Sequence, residues 1–88
     1  MQEYYYMGDR SFYILAKETD ANIEILAAKS LTIDGETSIY SQKITEKMAE
    51  DIKTTDAGWV VMKAMGQTLE AETDEAAIEA IKEKFHDK

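Results

Sequence analysis

The densest run of reactive side chains in this sequence is acidic. Glu70, Glu72, Asp74, Glu75 and Glu79 fall within ten residues that hold no Lys, Arg or His. Oxygens at that density could hold a divalent cation. Their spacing is not that of an EF-hand loop, and no glycine sits inside the run to turn the backbone round an ion. On a strand Glu70 and Glu72 would share one face, and on a helix Glu75 and Glu79 would share another. The run reads first as a solvated strand edge and helix start, and second as a surface for a basic protein.

Other chemistry is scarce. His86 is the sole histidine, close to the C-terminal end of the chain. One imidazole cannot make a metal centre alone, and it reads as a complement to a helix C-terminus. Neither a Gly-x-Ser-x-Gly elbow nor a Ser-x-x-Lys pair is present, so no serine is matched to a base. No glycine-rich phosphate loop occurs. Lys63 lies in an apolar stretch and reads as an outward or snorkelling side chain. No catalytic residue, cofactor or metal is expected from these residues.

The aromatics crowd the start of the chain. Tyr4, Tyr5, Tyr6, Phe12 and Tyr13 fall in two short runs. Consecutive strand residues alternate faces, so Tyr5 points away from Tyr4 and Tyr6. One face packs inward and the other exposes a phenol ring or two. Exposed rings can stack on nucleobases, but that mode needs a basic groove, and only Arg10 and Lys17 are near in sequence. Tyr4 and Tyr5 are therefore candidate partner contacts, together with Glu70, Glu72, Asp74, Glu75 and Glu79.

Composition narrows the classes further. The 88 residues suit one domain. A chain this short buries one modest core, which leaves little room for an enzyme cleft. With no cysteine there is neither a disulfide nor a thiolate site. The first ten residues lack the basic and apolar regions of a secretory leader, and no window is apolar enough to cross a bilayer. A cytoplasmic setting in a bacterium or a phage-infected cell is expected. The formal charge of −8 argues against nucleic acid or an anionic membrane as direct partner.

These residues must be positioned by local elements. Glu3–Met7 and Ser11–Lys17 read as strands joined at Gly8-Asp9. Ala21–Lys29 suits a strand, with Ile23, Ile25 and Ala27 on one face, better than a helix capped by Asp20. Leu31–Ile33 and Glu36–Tyr40 flank Asp34-Gly35, a favoured hairpin turn. Ile44, Met48 and Ile52 recur every four residues, which predicts a helix to about Lys53 with Ser41 or Thr45 as N-cap. Thr54–Gly58 reads as a loop, and Trp59–Met62 as a strand turned at Gly66 into Thr68–Ala71. Thr73 caps a last helix, with Asp74 and Glu75 at its start, Lys82 and Lys84 near its end, and Ala77, Ile78, Ile81 and Phe85 on one face.

The stretch from Gly58 to Gly66, followed by a short strand and Thr73-Asp-Glu-Ala-Ala-Ile, looks broadly like the hairpin and closing helix of many small bacterial and phage domains. It names no family and transfers no functional residue. The expected fold is α+β: an antiparallel sheet of four to six short strands against two helices, with a ferredoxin-like βαββαβ order as the alternative. The expected core is Tyr6, Phe12, Ile14, Ile25, Ile33, Ile39, Met48, Ile52, Trp59, Val61, Ile78, Ile81 and Phe85. The expected function is a non-catalytic acidic module that binds a protein, one with a basic or nucleic-acid-binding surface, as a DNA-mimicking inhibitor would. A homo-oligomer built on the tyrosine hairpin or an edge strand is the alternative, and a small enzyme or ligand binder the third reading.

Overall fold

Alternating side chains build the first three elements, and each strand pairs with the one before it. In the computed structural model, which describes residues 1–20, 22–31 and 39–87 (backbone alone at 39 and 40), β1 is Gln2–Gly8, β2 Phe12–Glu18 and β3 Ile23–Ser30. Asp9 makes the first turn by accepting from the Ser11 amide and hydroxyl, both at 2.7 Å. These two bonds hold the Asp9 carboxyl below the usual range. The helices α1 (Ile39–Thr54) and α2 (Asp56–Met65) follow, then β4 (Gln67–Ala71) and α3 (Asp74–Lys84). The sheet order is β3-β2-β1-β4 with every neighbour antiparallel. Among the described residues this is an α+β fold with four strands, and their order βββααβα is not that of the ferredoxin-like alternative.

Helices cover both faces of the sheet. Tyr4, Tyr6, Tyr13 and Leu15 point to one face and pack with Ala71, Ala77 and Ile81 under α3. Ile14 and Ala16 point to the other and pack with Ala49, Ile52, Trp59 and Met62 of α1 and α2. The β2–β3 register slips between Leu15 and Ala16, which pair with Ala27 and Ile25. Leu26 is the extra residue of this bulge. It lets Leu26 and Ala27 both pack towards α3, while Ile23, Ile25 and Ala28 pack towards the other helices. Ala27 therefore does not share the face of Ile23 and Ile25, contrary to strict alternation.

The largest departure from the sequence pattern is Trp59–Met62, which is helical. Thr55 decides it. Its hydroxyl donates to the Asp51 carbonyl at 2.7 Å, ending α1, and accepts from the Gly58 amide at 2.9 Å, capping α2. Gly58 meets α1 so closely that a Cβ there would strike the Asp51 carbonyl. Trp59 and Met62, three apart, face the sheet. Val61 consequently lies outside the core, half exposed. Ser41 and Thr45 are not caps, because α1 already runs from Ile39. Thr45 is buried and donates to the Ser41 carbonyl at 2.8 Å. Ile44 of the expected stripe is exposed, and Ala49 takes part in the buried face instead.

The predicted hairpin about Asp34-Gly35, with Ile33, lies outside the described residues, as does the Ile39 side chain. The second strand of that hairpin ends in error, since residues 39 and 40 are helical. Tyr4, Tyr13, Leu15 and Met62 are wholly or almost wholly buried and join the core.

Candidate acidic interface

Antiparallel pairing gathers four chain segments at one end of the sheet. The start of β1, the end of β2, the start of β3 and the end of β4 meet there. The short link after β4 puts the start of α3 beside them. Those segments bring Glu3, Glu18, Glu24 and Glu70 from the strands, Asp20 from the turn between β2 and β3, and Glu72, Asp74 and Glu75 from the β4–α3 corner. Lys17 is the one Lys or Arg in the same segments.

Lys17 is already engaged. Its Nζ donates to both carboxylate oxygens of Asp74, at 3.0 and 2.9 Å, and lies 3.8 Å from Glu24. Tyr4 donates its hydroxyl to the same Asp74 at 2.8 Å. Hydrogen bonds from Lys17, then from Tyr4, hold the Asp74 carboxyl below its usual range. The bond to Asp74 holds the Lys17 ammonium above its own range. Burial, then the bond to Asp74, pushes the Tyr4 phenol up. Thr73 accepts from the Ala76 amide at 3.0 Å and starts α3 above this group. Asp74 is thus a clamp between helix and sheet.

Among the described residues, Glu3, Glu18, Glu70, Glu72 and Glu75 form no ion pair. Glu3 stands directly opposite Glu70 across β1 and β4. The β1–β2 register, continued past the Tyr5–Ala16 pair, sets Glu18 abreast of Glu3. Three carboxylates therefore cross three neighbouring strands on the α2 side of the sheet. Like charges set directly opposite disfavour pairing. Tyr5 lies beside them, with its hydroxyl 3.3 Å from Glu3 and its ring edge-on to Trp59 at 5.2 Å. Burial, then Glu3, pushes the Tyr5 phenol up. Trp59 donates its indole N–H to Glu18 at 3.0 Å. Glu72 and Glu75 are exposed at the corner, and Glu79 is exposed one turn further along α3.

Of the residues singled out from sequence, Glu70, Glu72 and Glu75 meet at this pole, and Glu79 extends it. One correction follows. Tyr4 has 0% of its surface exposed, so it cannot contact a partner. Tyr5 is half-buried against Trp59. Glu3, Glu18, Asp20 and Glu24 escaped notice because they are far apart in sequence. The signal was available, since two hairpins must bring alternate strand ends together.

The opposite end of α3 repeats the clamp. Tyr13 donates to Asp87 at 2.5 Å, and Lys29 Nζ reaches the two oxygens of Asp87 at 2.8 and 2.9 Å. Burial pushes the Asp87 carboxyl up, but the Lys29 and Tyr13 bonds outweigh it and leave it below the usual range. Burial, then Asp87, pushes the Tyr13 phenol up. His86 brings the chain round, with φ at 56°. Its amide donates to the Glu83 carbonyl at 3.2 Å, and that of Asp87 to Lys82 at 2.8 Å, the paired bonds of a Schellman ending.

Beyond the sheet, α1 and α2 carry a different surface. Glu46, Glu50, Asp51 and Asp56 are matched in number by Lys43, Lys47, Lys53 and Lys63, so residues 39–65 have no net charge. Between the two helices lies a groove of about 480 Å³ lined by Met7, Met48, Ile52, Val61 and Met62, with Asp51 at its side. Among the described residues, no group of three His, Cys, Asp or Glu side chains is arranged to hold a metal ion. Nor is any described helix long and apolar enough to cross a membrane. No protein-family model, curated protein or solved structure matches the chain.

Proposed function

We propose that this chain is a non-catalytic acidic interaction module whose carboxylate-rich sheet end binds a basic surface on a partner protein. The observation that carries this reading is the row Glu18, Glu3 and Glu70, across strands where one lysine is near and is held by Asp74. Folding gains nothing from opposing like charges. A cationic partner would turn the same row into favourable, fast-forming contacts. A protein whose own groove binds nucleic acid suits this surface best, because its lysines and arginines are already spaced for rows of anions. Most threonine hydroxyls among the described residues serve the backbone, as at Thr45, Thr54 and Thr55, which favours a binding role over a nucleophilic one.

The test is affinity capture of a partner at low and high salt, with wild type beside the triple variant Glu3→Lys, Glu18→Lys, Glu70→Lys. A basic protein held by wild type at low salt, and released by salt and by the variant, is the expected result. Equal capture by both proteins would overturn the proposal.

A further inference from the structure

The edge of a sheet presents backbone N–H and C=O groups that another strand can pair with. β4 is such an edge. It ends the order β3-β2-β1-β4, and among the described residues no strand pairs with its outer side. Its two faces differ. α2 packs on β1 through Trp59 and Tyr5, and Thr68 and Glu70, on the same side of β4, stay exposed. On the α3 side Leu69 and Ile78 pack against the core yet are only half-buried. The edge is therefore polar and anionic on one face and aliphatic on the other. The row Glu18, Glu3 and Glu70 crosses β2, β1 and β4 and stops here. Its next place lies beside Glu70, on a strand that none of the described residues supplies.

We infer that an extended basic segment of the partner protein adds beside β4 as the next strand of the sheet. This rests on the acidic reading above and names how the partner is held. Charge selects the occupant. A cation opposite Glu70 closes the carboxylate row with a cross-strand ion pair, whereas a carboxylate there would lengthen the repulsion. A second copy of the chain would bring another −8 to the contact. Glu70 thus admits a basic strand and disfavours an acidic one. Alternation sets the rest of the pattern. Lys or Arg belongs on the Glu70 face of the added strand, with aliphatic residues between to extend the Leu69 face. Main-chain bonds along β4 supply affinity, and the alternating side chains supply the choice of sequence.

The probe is a short end-blocked peptide alternating lysine and valine, and the readout is amide hydrogen exchange along Gln67–Ala71. Saturating peptide is expected to slow exchange there by about fivefold or more, while the other edge, Ile23–Ser30, stays unchanged. The same peptide with glutamate for lysine should slow nothing. Glu70→Lys should weaken the lysine peptide by about fivefold or more. Methylating every backbone nitrogen of the peptide keeps its charge but removes its donors, so the slowing should vanish. A lysine peptide that binds in a salt-sensitive way without slowing β4 overturns the added strand and leaves the acidic surface standing, so the two readings fail separately. Equal slowing by the glutamate peptide overturns the charge selection, and no binding at all overturns the inference. Slowing that grows with the protein's own concentration, without peptide, would hand the edge to a second copy and overturn it too.

Discussion

The two sides of the sheet are covered by different physics. On the α3 side, a tyrosine hydroxyl and a lysine ammonium converge on an aspartate at each end of the helix, Asp74 and Asp87. These bonds are directional, so they set the helix's position as well as holding it. On the α1–α2 side, apolar packing of Ile52, Trp59 and Met62 predominates, and the Trp59–Glu18 bond is its one side-chain tie of that kind to the sheet among the described residues. Apolar packing is non-directional. A layer held that way still exposes Val60, Val61 and Met65, whereas the clamped layer places carboxylates at a defined corner.

The largest expected effects come from cutting each layer's core. Ile81→Ala on the α3 side and Met62→Ala on the other each remove a fully buried side chain and should cost about 2–5 kcal/mol in urea unfolding. Trp59 is the sole tryptophan and reports on the α2 layer. Its fluorescence should change together with far-ultraviolet circular dichroism in both variants, as for a two-state unit. Separate transitions would mean that the layers melt independently, and the contrast would become one of stability as well as of chemistry.

A smaller effect isolates the clamps. Asp74 and Asp87 have carboxyls held below their usual range. A depressed carboxyl contributes stability above its unfolded pKa of about 3.9, and that contribution is lost as pH falls through the folded value. The melting temperature should therefore fall below about pH 4. The double variant Asp74→Asn, Asp87→Asn should start lower at neutral pH and show a shallower acid limb. An acid limb identical to that of wild type would remove the clamps from the account of α3. The smallest effect sharpens the same end of the molecule. His86 occupies a left-handed conformation, which glycine adopts without strain, so His86→Gly should raise stability by about 0.5–1 kcal/mol. A lower denaturation midpoint would show that the imidazole makes up for its backbone.

Much of α3 was legible from sequence because its signals are local. Thr73, Asp74, Lys82 and the spacing of Ala77, Ile78 and Ile81 lie within a few turns and agree with one another. The N-terminal hairpin was legible for the same reason, in alternating tyrosines and a Gly8-Asp9 turn. α2 was not, because a helix apolar on two sides has no polar stripe to reveal its period, and its valines favour strands. β3 was legible as a strand, but its bulge displaced Ala27. Only half of the acidic pole was readable, since Glu3 and Glu70 are neighbours solely through the β1–β4 pairing.

The sequence by itself determined the α+β class, the acidic balance, the N-cap of the last helix and which tyrosines share a face. Each depends on residues close together in the chain or on plain composition. The tertiary structure alone decided that helices cover both sides of the sheet, that Tyr4 is buried against Asp74, and that eight carboxylates converge at one end while residues 39–65 form a neutral layer. Those outcomes depend on strand order and register. Both are set by burying the two faces of the sheet at once, a condition that no local window of sequence contains.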